Sequence, residues 1–309
     1  MGTILVTGGA GYIGSHVAFA LRERGEKVTE LDLLINGDIR DRTLVSALLR
    51  EGEVSAVAHL AACIDVEESV HNPKKYYDNN VHGTQILMEE VKRAGVACFV
   101  FSSTAAVYGT PATYPVAEDA PLRPENPYGE SKVRAEAILH QMGGDIRYVI
   151  LRYFNVAGIN PKTQYRVRQD TTHLIRRVIL SALGRRRVFE VYGTDYPTRD
   201  GTAIRDYVHV DDVAEAHIRA LRYLRTGNPS AVWNVGYGRG YSVMEVVEMV
   251  KKVTGIDFPV EYAPRRPGDV STVVADPTRL MRLGWQPKHN NLEEIIQSEY
   301  EWIRSNLSD

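Results

Sequence analysis

The chain begins with Thr3-Ile4-Leu5-Val6-Thr7-Gly8-Gly9-Ala10-Gly11-Tyr12-Ile13-Gly14. Residues 3 to 7 form a short apolar run of the kind that suits a buried strand. A helical pattern follows the glycines, with Val17 and Leu21 on one face and Arg22, Glu23 and Arg24 polar. Glycines at 8, 11 and 14 (also 9, 11 and 14) have the dinucleotide spacing: they allow a tight turn and let backbone amides approach a pyrophosphate at a helix N-terminus. A glycine spacing alone is weak evidence. This one lies between a strand and a helix, as the mechanism requires. Gly8, Gly11, Tyr12, Ile13 and Gly14 are therefore candidate cofactor contacts. A second strand, 27–32, ends in Asp32, near the place where an acidic residue binds ribose hydroxyls. A carboxylate there repels a 2′-phosphate and no Arg follows it, which favours NAD over NADP.

Outward from this unit, strands alternate with helices. Strands are expected at 3–7, 27–32, 54–60, 97–102 and 147–152, and helices at 14–24, 41–50, 79–94 and 127–142. That alternation predicts an α/β fold with a Rossmann-type doubly wound parallel sheet. Only Leu33 to Gly37 separate Asp32 from Asp38-Ile39, whereas a crossover to a further parallel strand takes roughly a dozen residues. The sheet is expected to be shortened after its second strand, leaving the adenosine side open. After residue 155 a polar loop is expected at 161–170 and helices at 171–184, from Asp211 or Asp212 to Leu224, at 242–254 and at 292–307. Strands are expected at 188–192, 207–210 and 232–236. The expected division is a cofactor domain, 1–155, with returns from about 206–236, and a smaller C-terminal α/β substrate lobe, 156–309.

The balance of 37 basic and 39 acidic residues gives a net charge of -2, which argues against nucleic acid or an anionic membrane as partner. No apolar stretch reaches transmembrane length, and a strand begins by residue 3, so no signal peptide and a cytoplasmic location are expected. Cys63 and Cys98 lie in apolar runs and are expected to be buried, reduced thiols. The nine histidines lack zinc-site spacing, so no metal is expected. Phe154, Trp233 and Trp285 read as core.

The second informative stretch is Asn126-Pro127-Tyr128-Gly129-Glu130-Ser131-Lys132. Asn is a favoured N-cap and Pro suits the first helical turn. Tyr128 and Lys132, at i and i+4, share one helix face. A cation beside a phenol favours the phenolate, giving a base able to take a proton from a substrate hydroxyl. On an isolated helix the same pair would be two solvated surface residues. Residues 97–109 place Thr104 at the C-terminal end of a strand, completing a Thr104/Tyr128/Lys132 triad.

With that triad the chain resembles the extended short-chain dehydrogenase/reductase family, and within it the UDP-galactose 4-epimerases. The resemblance runs nearly end to end, through residues 8–16, Tyr76-Tyr77-Asp78-Asn79-Asn80-Val81, Leu151-Arg152-Tyr153-Phe154-Asn155, and the stretches 193–202, 205–210 and 263–269. It implies bound NAD, a UDP-hexose substrate, and interconversion of UDP-glucose and UDP-galactose by oxidation at C4′, turning of the 4-keto sugar and re-reduction. Tyr128 would move the proton, Thr104 would bind the reacting oxygen and Lys132 would hold the nicotinamide ribose. Further NAD contacts are implied at Asp38, Ile39, Leu60, Ala61, Ala62, Asn80, Ser102 and Tyr153. In the substrate lobe Arg205 and Arg266 would pair with the diphosphate, since an Arg fork matches phosphate oxygens. Asp269 would bind the uridine ribose, Asn155 a phosphate or sugar oxygen, and Glu190 and Tyr192 would line the uracil pocket. A homodimer is implied, formed through helices 79–94 and 127–142, with Ile86, Leu87, Val91, Val133, Ile138 and Leu139 as its apolar surface.

Three departures stand out. Ile64 replaces a family Lys near the cofactor phosphates, and His173-Leu174 replaces an Asn-Leu pair at the substrate phosphate. Val273 stands where some relatives carry a Tyr that excludes N-acetyl sugars, so UDP-GlcNAc and UDP-GalNAc are expected to fit. Ala105-Ala106 take the places of an Asp-Glu pair that dehydratases need, which argues against a 4,6-dehydratase or a decarboxylase. A 4-epimerase of UDP-glucuronate or UDP-xylose stays open, as does a non-catalytic NAD sensor, although such sensors lose the Tyr or the Lys that is present here.

Overall fold

Six apolar runs pair side by side into the sheet on which everything else is mounted. The protein is described from a computed structural model covering residues 2–142, 144, 146–163, 173–266 and 268–306. Its strands, in chain order, are β1 (Thr3–Thr7), β2 (Val28–Leu31), β3 (Val54–His59), β4 (Cys98–Thr104), β5 (Arg147–Tyr153), β6 (Asn155–Ala157), β7 (Phe189–Tyr192), β8 (Ile204–His209), β9 (Ala231–Val235), β10 (Gly240–Ser242), β11 (Val260–Ala263) and β12 (Thr272–Val273). The central sheet runs β2-β1-β3-β4-β5-β9, parallel throughout.

Period-two alternation sends its side chains to two cores. Ile4, Val6, Ala58, Val100 and Leu151 face the helices Tyr12–Arg22 and Val210–Arg225. Leu5, Val57, Phe99, Phe101 and Ile150 face Arg42–Glu51, Gly83–Arg93 and Pro127–Met142. Far along the chain from β5, β9 pairs with it in this same sheet. A second sheet, β10-β8-β12 with β6 on β8, and a parallel pair, β11-β7, make up the rest. They pack with the helices Leu174–Ala182, Val243–Thr254 and Leu292–Asn306. Phe154, Trp233 and Trp285 are buried, as expected.

The shortening after β2 is real, and β2 is the sheet edge. The Asp32 carbonyl accepts the amides of Ile35, Asn36 and Gly37, each at 3.0 Å. Asn36 closes the turn by accepting the Asp32 amide at 3.0 Å and donating to the Glu30 carbonyl at 2.8 Å. With nothing packed outside it, this turn leaves Leu33, Leu34 and Ile35 exposed at 65%, 76% and 58%.

Several local expectations are corrected. The expected helix 79–94 is helical, but it is α only from Gly83 to Arg93; its start belongs to a wider π-helical turn, Tyr77–His82, that sets Asn79 and Asn80 inward, after short helices Val66–His71 and Pro73–Tyr76. Helix Val210–Arg225 is capped by His209, whose ring accepts the Asp211 amide, and not by Asp211 or Asp212. Asp212 is buried and otherwise engaged: it accepts the Tyr237 hydroxyl at 2.5 Å and the amides of Lys288 and His289 at 2.9 and 3.0 Å. Cys98 is buried but Cys63 is only partly so. The expected loop beyond Thr163, the expected helical residues Thr171 and Thr172, and Leu307 lie outside the described residues. No described helix is long and apolar enough to cross a membrane.

Burial holds five imidazoles neutral: it lowers His16, His173 and His217 to about 4, and His59 and His209 to about 3. Each binds its proton in the unfolded chain near pH 6.5 but in the folded chain only near 3 to 4. Their contribution to stability is therefore full above pH 6.5 and is lost as the pH falls toward 4. The urea midpoint is expected to drop steeply between those values; a flat profile across them contradicts this.

Candidate active site

The glycine turn is a close-fitted cradle. A Cβ on Gly14 would sit 1.9 Å from the Gly8 carbonyl oxygen, and Gly8 itself, at φ +74°, would clash with the Ala61 amide at 2.6 Å. No other residue fits either place. Asp32 closes the cradle from β2: its carboxylate accepts the amides of Ala10 at 3.1 Å and Leu34 at 2.9 Å. Leu60 and Ala61 lie against the turn through Thr7, whose carbonyl accepts the Leu60 amide at 3.0 Å and whose hydroxyl accepts the Ala61 amide at 3.3 Å. Glycine backbone, a carboxylate at the end of β2 and a helix beginning at Tyr12 make a donor set that fits the pyrophosphate and ribose of NAD.

Other expected cofactor residues spend their side chains inside the fold. Asn80 accepts the Cys63 amide at 2.8 Å and donates to the Cys63 carbonyl and the Ser131 hydroxyl, both at 2.9 Å. It therefore fixes the segment carrying Ala61 and Ala62 against helix Pro127–Met142. The Ile39 side chain is in the core, and Asp38 is paired with Arg40 at 2.5 Å. The Tyr153 hydroxyl is shared between Ser102 Oγ at 2.8 Å and His217 Nε2 at 2.6 Å. Tyr12 hydrogen-bonds the Gly158 carbonyl, and the Arg176 guanidinium lies 5.7 Å over its ring. Ile64 is exposed at 58% and offers no cation.

The triad is assembled. Asn126 caps its helix, accepting the Gly129 amide at 2.9 Å, as expected. The Tyr128 phenol lies close to the Thr104 hydroxyl, which accepts the Ala106 amide at 3.2 Å. The expectation that Lys132 lowers the Tyr128 pKa is corrected. Lys132 is buried, donates to the Ser102 carbonyl at 3.0 Å and lies 4.9 Å over the Phe101 ring. Burial raises the phenol above its ordinary range, and the nearby Thr104 hydroxyl offsets only part of this. Burial also brings Lys132 down to about 8, against the opposing pull of Glu136.

In the second half, Arg205 faces Asp269 at 3.7 Å and is register partner of Val273 across β8 and β12. Val273 packs with Phe154, Val107 and Ala105, next to Thr104 and Asn155. The Arg266 guanidinium stacks 3.9 Å over Tyr192, whose hydroxyl donates to Glu190 at 2.8 Å. His173 lies 5.7 Å from the Tyr12 ring and is held neutral, at about 4, chiefly by burial, with Leu174 beginning the helix beside it. The histidines are less scattered in space than in sequence. Donor atoms of His209, Asp211 and His289 lie within 4.8 Å of one another, and each side chain already has hydrogen-bond partners.

The NAD dependent epimerase/dehydratase family model matches residues 4–236. The chain belongs to this family. It is 47% identical to UDP-glucose 4-epimerase of Azospirillum brasilense over 98% of this chain and 92% of that one. A crystal structure of UDP-glucose 4-epimerase from Brucella ovis in complex with NAD superposes with TM-score 0.93 at 38% identity, covering 97% of this chain and 98% of that one. The UDP-Glc/GlcNAc 4-epimerase from Campylobacter jejuni superposes with TM-score 0.86 at 42% identity, covering 99% and 100%.

What the sequence did not disclose is how this epimerase/dehydratase fold holds its triad helix. Glu136 is buried one turn beyond Lys132. It accepts Ser103 Oγ at 2.5 Å and a bidentate fork from Arg152 at 3.1 and 2.6 Å. Arg152 continues to the Tyr108 hydroxyl and the Glu118 carbonyl, both at 2.9 Å. The available signal was the i, i+4, i+8 series Tyr128, Lys132, Glu136 on one helix face. Removing one partner strands a buried charge. Glu136→Leu is expected to destabilise by about 3–5 kcal/mol, and Glu136→Leu with Arg152→Met by less than half of that. Urea unfolding of the singles and the double measures both; equal losses for single and double contradict the pairing.

Proposed function

We propose that this chain interconverts UDP-glucose and UDP-galactose with NAD as resident cofactor, and that it also accepts UDP-GlcNAc and UDP-GalNAc. The observation that carries the reading is the Tyr128 phenol close to Thr104 at the C-terminal end of β4, with buried Lys132 one turn along the same helix. It stands where open parallel sheets bind ligands, across from the glycine cradle.

Tyr128 takes the proton from the sugar 4′-hydroxyl and later returns it. Thr104 holds the phenol in place and contacts the reacting oxygen. Lys132 is fixed by Ser102 where it can reach a ribose hydroxyl. NAD, when bound beside the glycine cradle, supplies the hydride acceptor and a positive charge; the latter is what the raised Tyr128 phenol lacks. Residues 1–155 with the returning 206–236 hold the cofactor, and 156–309 hold the nucleotide sugar through Arg205, Arg266, Asp269, Asn155, Glu190 and Tyr192. Support for acceptance of N-acetyl sugars is the small side chain at Val273, packed beside Ala105, and the likeness to an enzyme named for UDP-Glc/GlcNAc.

A cytoplasmic homodimer completes the reading, and its support is family resemblance. Ile86, Leu87, Val91 and Leu139 are buried within one chain, and Val133 and Ile138 pack against its cores, so these residues do not supply a free apolar face.

Product analysis by NMR with each UDP-sugar separately tests the substrate assignment. Tyr128→Phe is expected to lower kcat by about 10²–10⁴-fold with NAD still bound; a nearly full rate would mean that another group is the base. Val273→Tyr is expected to suppress N-acetyl substrates while UDP-galactose still turns over; an unchanged substrate range contradicts the gating role.

A further inference from the structure

Asn234, on β9, is wholly buried, and its hydrogen bonds reach out of the central sheet in two directions. Its Oδ1 accepts the Tyr108 hydroxyl at 2.7 Å. Its Nδ2 donates to the Val116 carbonyl at 2.7 Å, and its backbone amide donates to Glu118 Oε1 at 2.9 Å. Tyr108 ends the short helical turn, Ala105–Tyr108, that directly follows Thr104. Arg152 donates to the same Tyr108 hydroxyl at 2.9 Å and so joins it to Glu136 on the triad helix. On the other side, Val116 bridges to Ala275: its amide donates to the Val274 carbonyl and its carbonyl accepts the Asp276 amide, both at 2.8 Å. Val274 follows Val273 at the end of β12. A buried line of hydrogen bonds thus runs from the triad helix through Asn234 to β12. Val107, Tyr108, Val116, Phe154, Val273 and Ala275 pack around it as one apolar cluster.

Resting on the UDP-sugar reading above, we propose that Asn234 is a positioning residue that sets the gap between the triad and β12. That gap retains the 4-keto sugar until hydride returns to it. A sugar that turns over between two hydride transfers cannot keep one fixed set of hydrogen bonds, so its retention depends on the walls around it. One wall is the turn after Thr104, anchored by Tyr108; the other is β12 with Val273, anchored by Val116. The Asn234 amide holds both at once, as donor to one and acceptor from the other.

Turnover of UDP-galactose by the NAD-loaded protein, followed by product NMR and by NADH absorbance, tests this. Asn234→Ala is expected to lower kcat by about tenfold or more, as misplacement of a bound substrate does. Its bound cofactor is expected to accumulate as NADH during turnover, with one 4-keto sugar nucleotide released into solution for each NADH left behind. NAD content before turnover stays at the wild-type level, and the wild-type protein accumulates no NADH. Tyr108→Phe removes the same bond from the other side with its ring kept, and is expected to show the same NADH accumulation to a smaller extent. It decides the matter if Asn234→Ala does not fold. Slower turnover without NADH accumulation marks a merely structural role and overturns the inference, as does unaltered turnover in both variants; either result leaves the epimerase reading standing. A wild-type protein that converts none of the UDP-sugars overturns both.

Discussion

The structure depends on an ion pair, Glu136 with Arg152, whose side chains are almost wholly buried. It locks helix Pro127–Met142 onto β4 and β5, and through Ser103 it fixes the end of the strand that carries Thr104. Two charges out of water are held only if nearly every donor and acceptor is matched. Here Tyr108, Ser103, the Glu118 carbonyl and Asn234 supply the matches. The fold thereby converts an electrostatic liability into a fixed rotation of the helix. A helix free to turn by one residue would carry Tyr128 away from Thr104.

The second constraint is steric. The Gly8–Gly14 contact leaves no room for a side chain, so helix Tyr12–Arg22 starts directly over the end of β1. Asp32 and Thr7 then tie β2 and β3 to that turn. Asn80 ties the β3 loop to the triad helix. Cofactor cradle and triad thus form one connected body, held by backbone contacts and a few buried amides.

Much of this was legible in the chain because it is local. The glycine spacing, the Asn126 cap, the bounds of helix 127–142 and the missing crossover after Asp32 all depend on neighbours within a few residues. Misreadings came where distant residues decide. Asp212 looks like a helix cap until residues 288–289 arrive to use its carboxylate, and His209 caps instead. The π-helical turn at Tyr77–His82 has no signature in propensity; it exists so that Asn80 can reach Cys63 and Ser131. Spacing put Tyr128 and Lys132 four residues apart on one helix, but it could not say that the ammonium would be spent on Ser102 or that burial would raise the phenol.

The proposed mechanism turns on charge: burial raises the Tyr128 phenol, and positive charge arriving with the cofactor is what would make it a base. The direct measurement is a phenolate absorbance titration of wild-type protein minus Tyr128→Phe, first freed of NAD and then reloaded with it. The account predicts a Tyr128 pKa above the ordinary 10.0 in the freed protein and a marked fall on reloading. A phenol that already titrates below 10.0 without NAD, or one that NAD does not move, contradicts it.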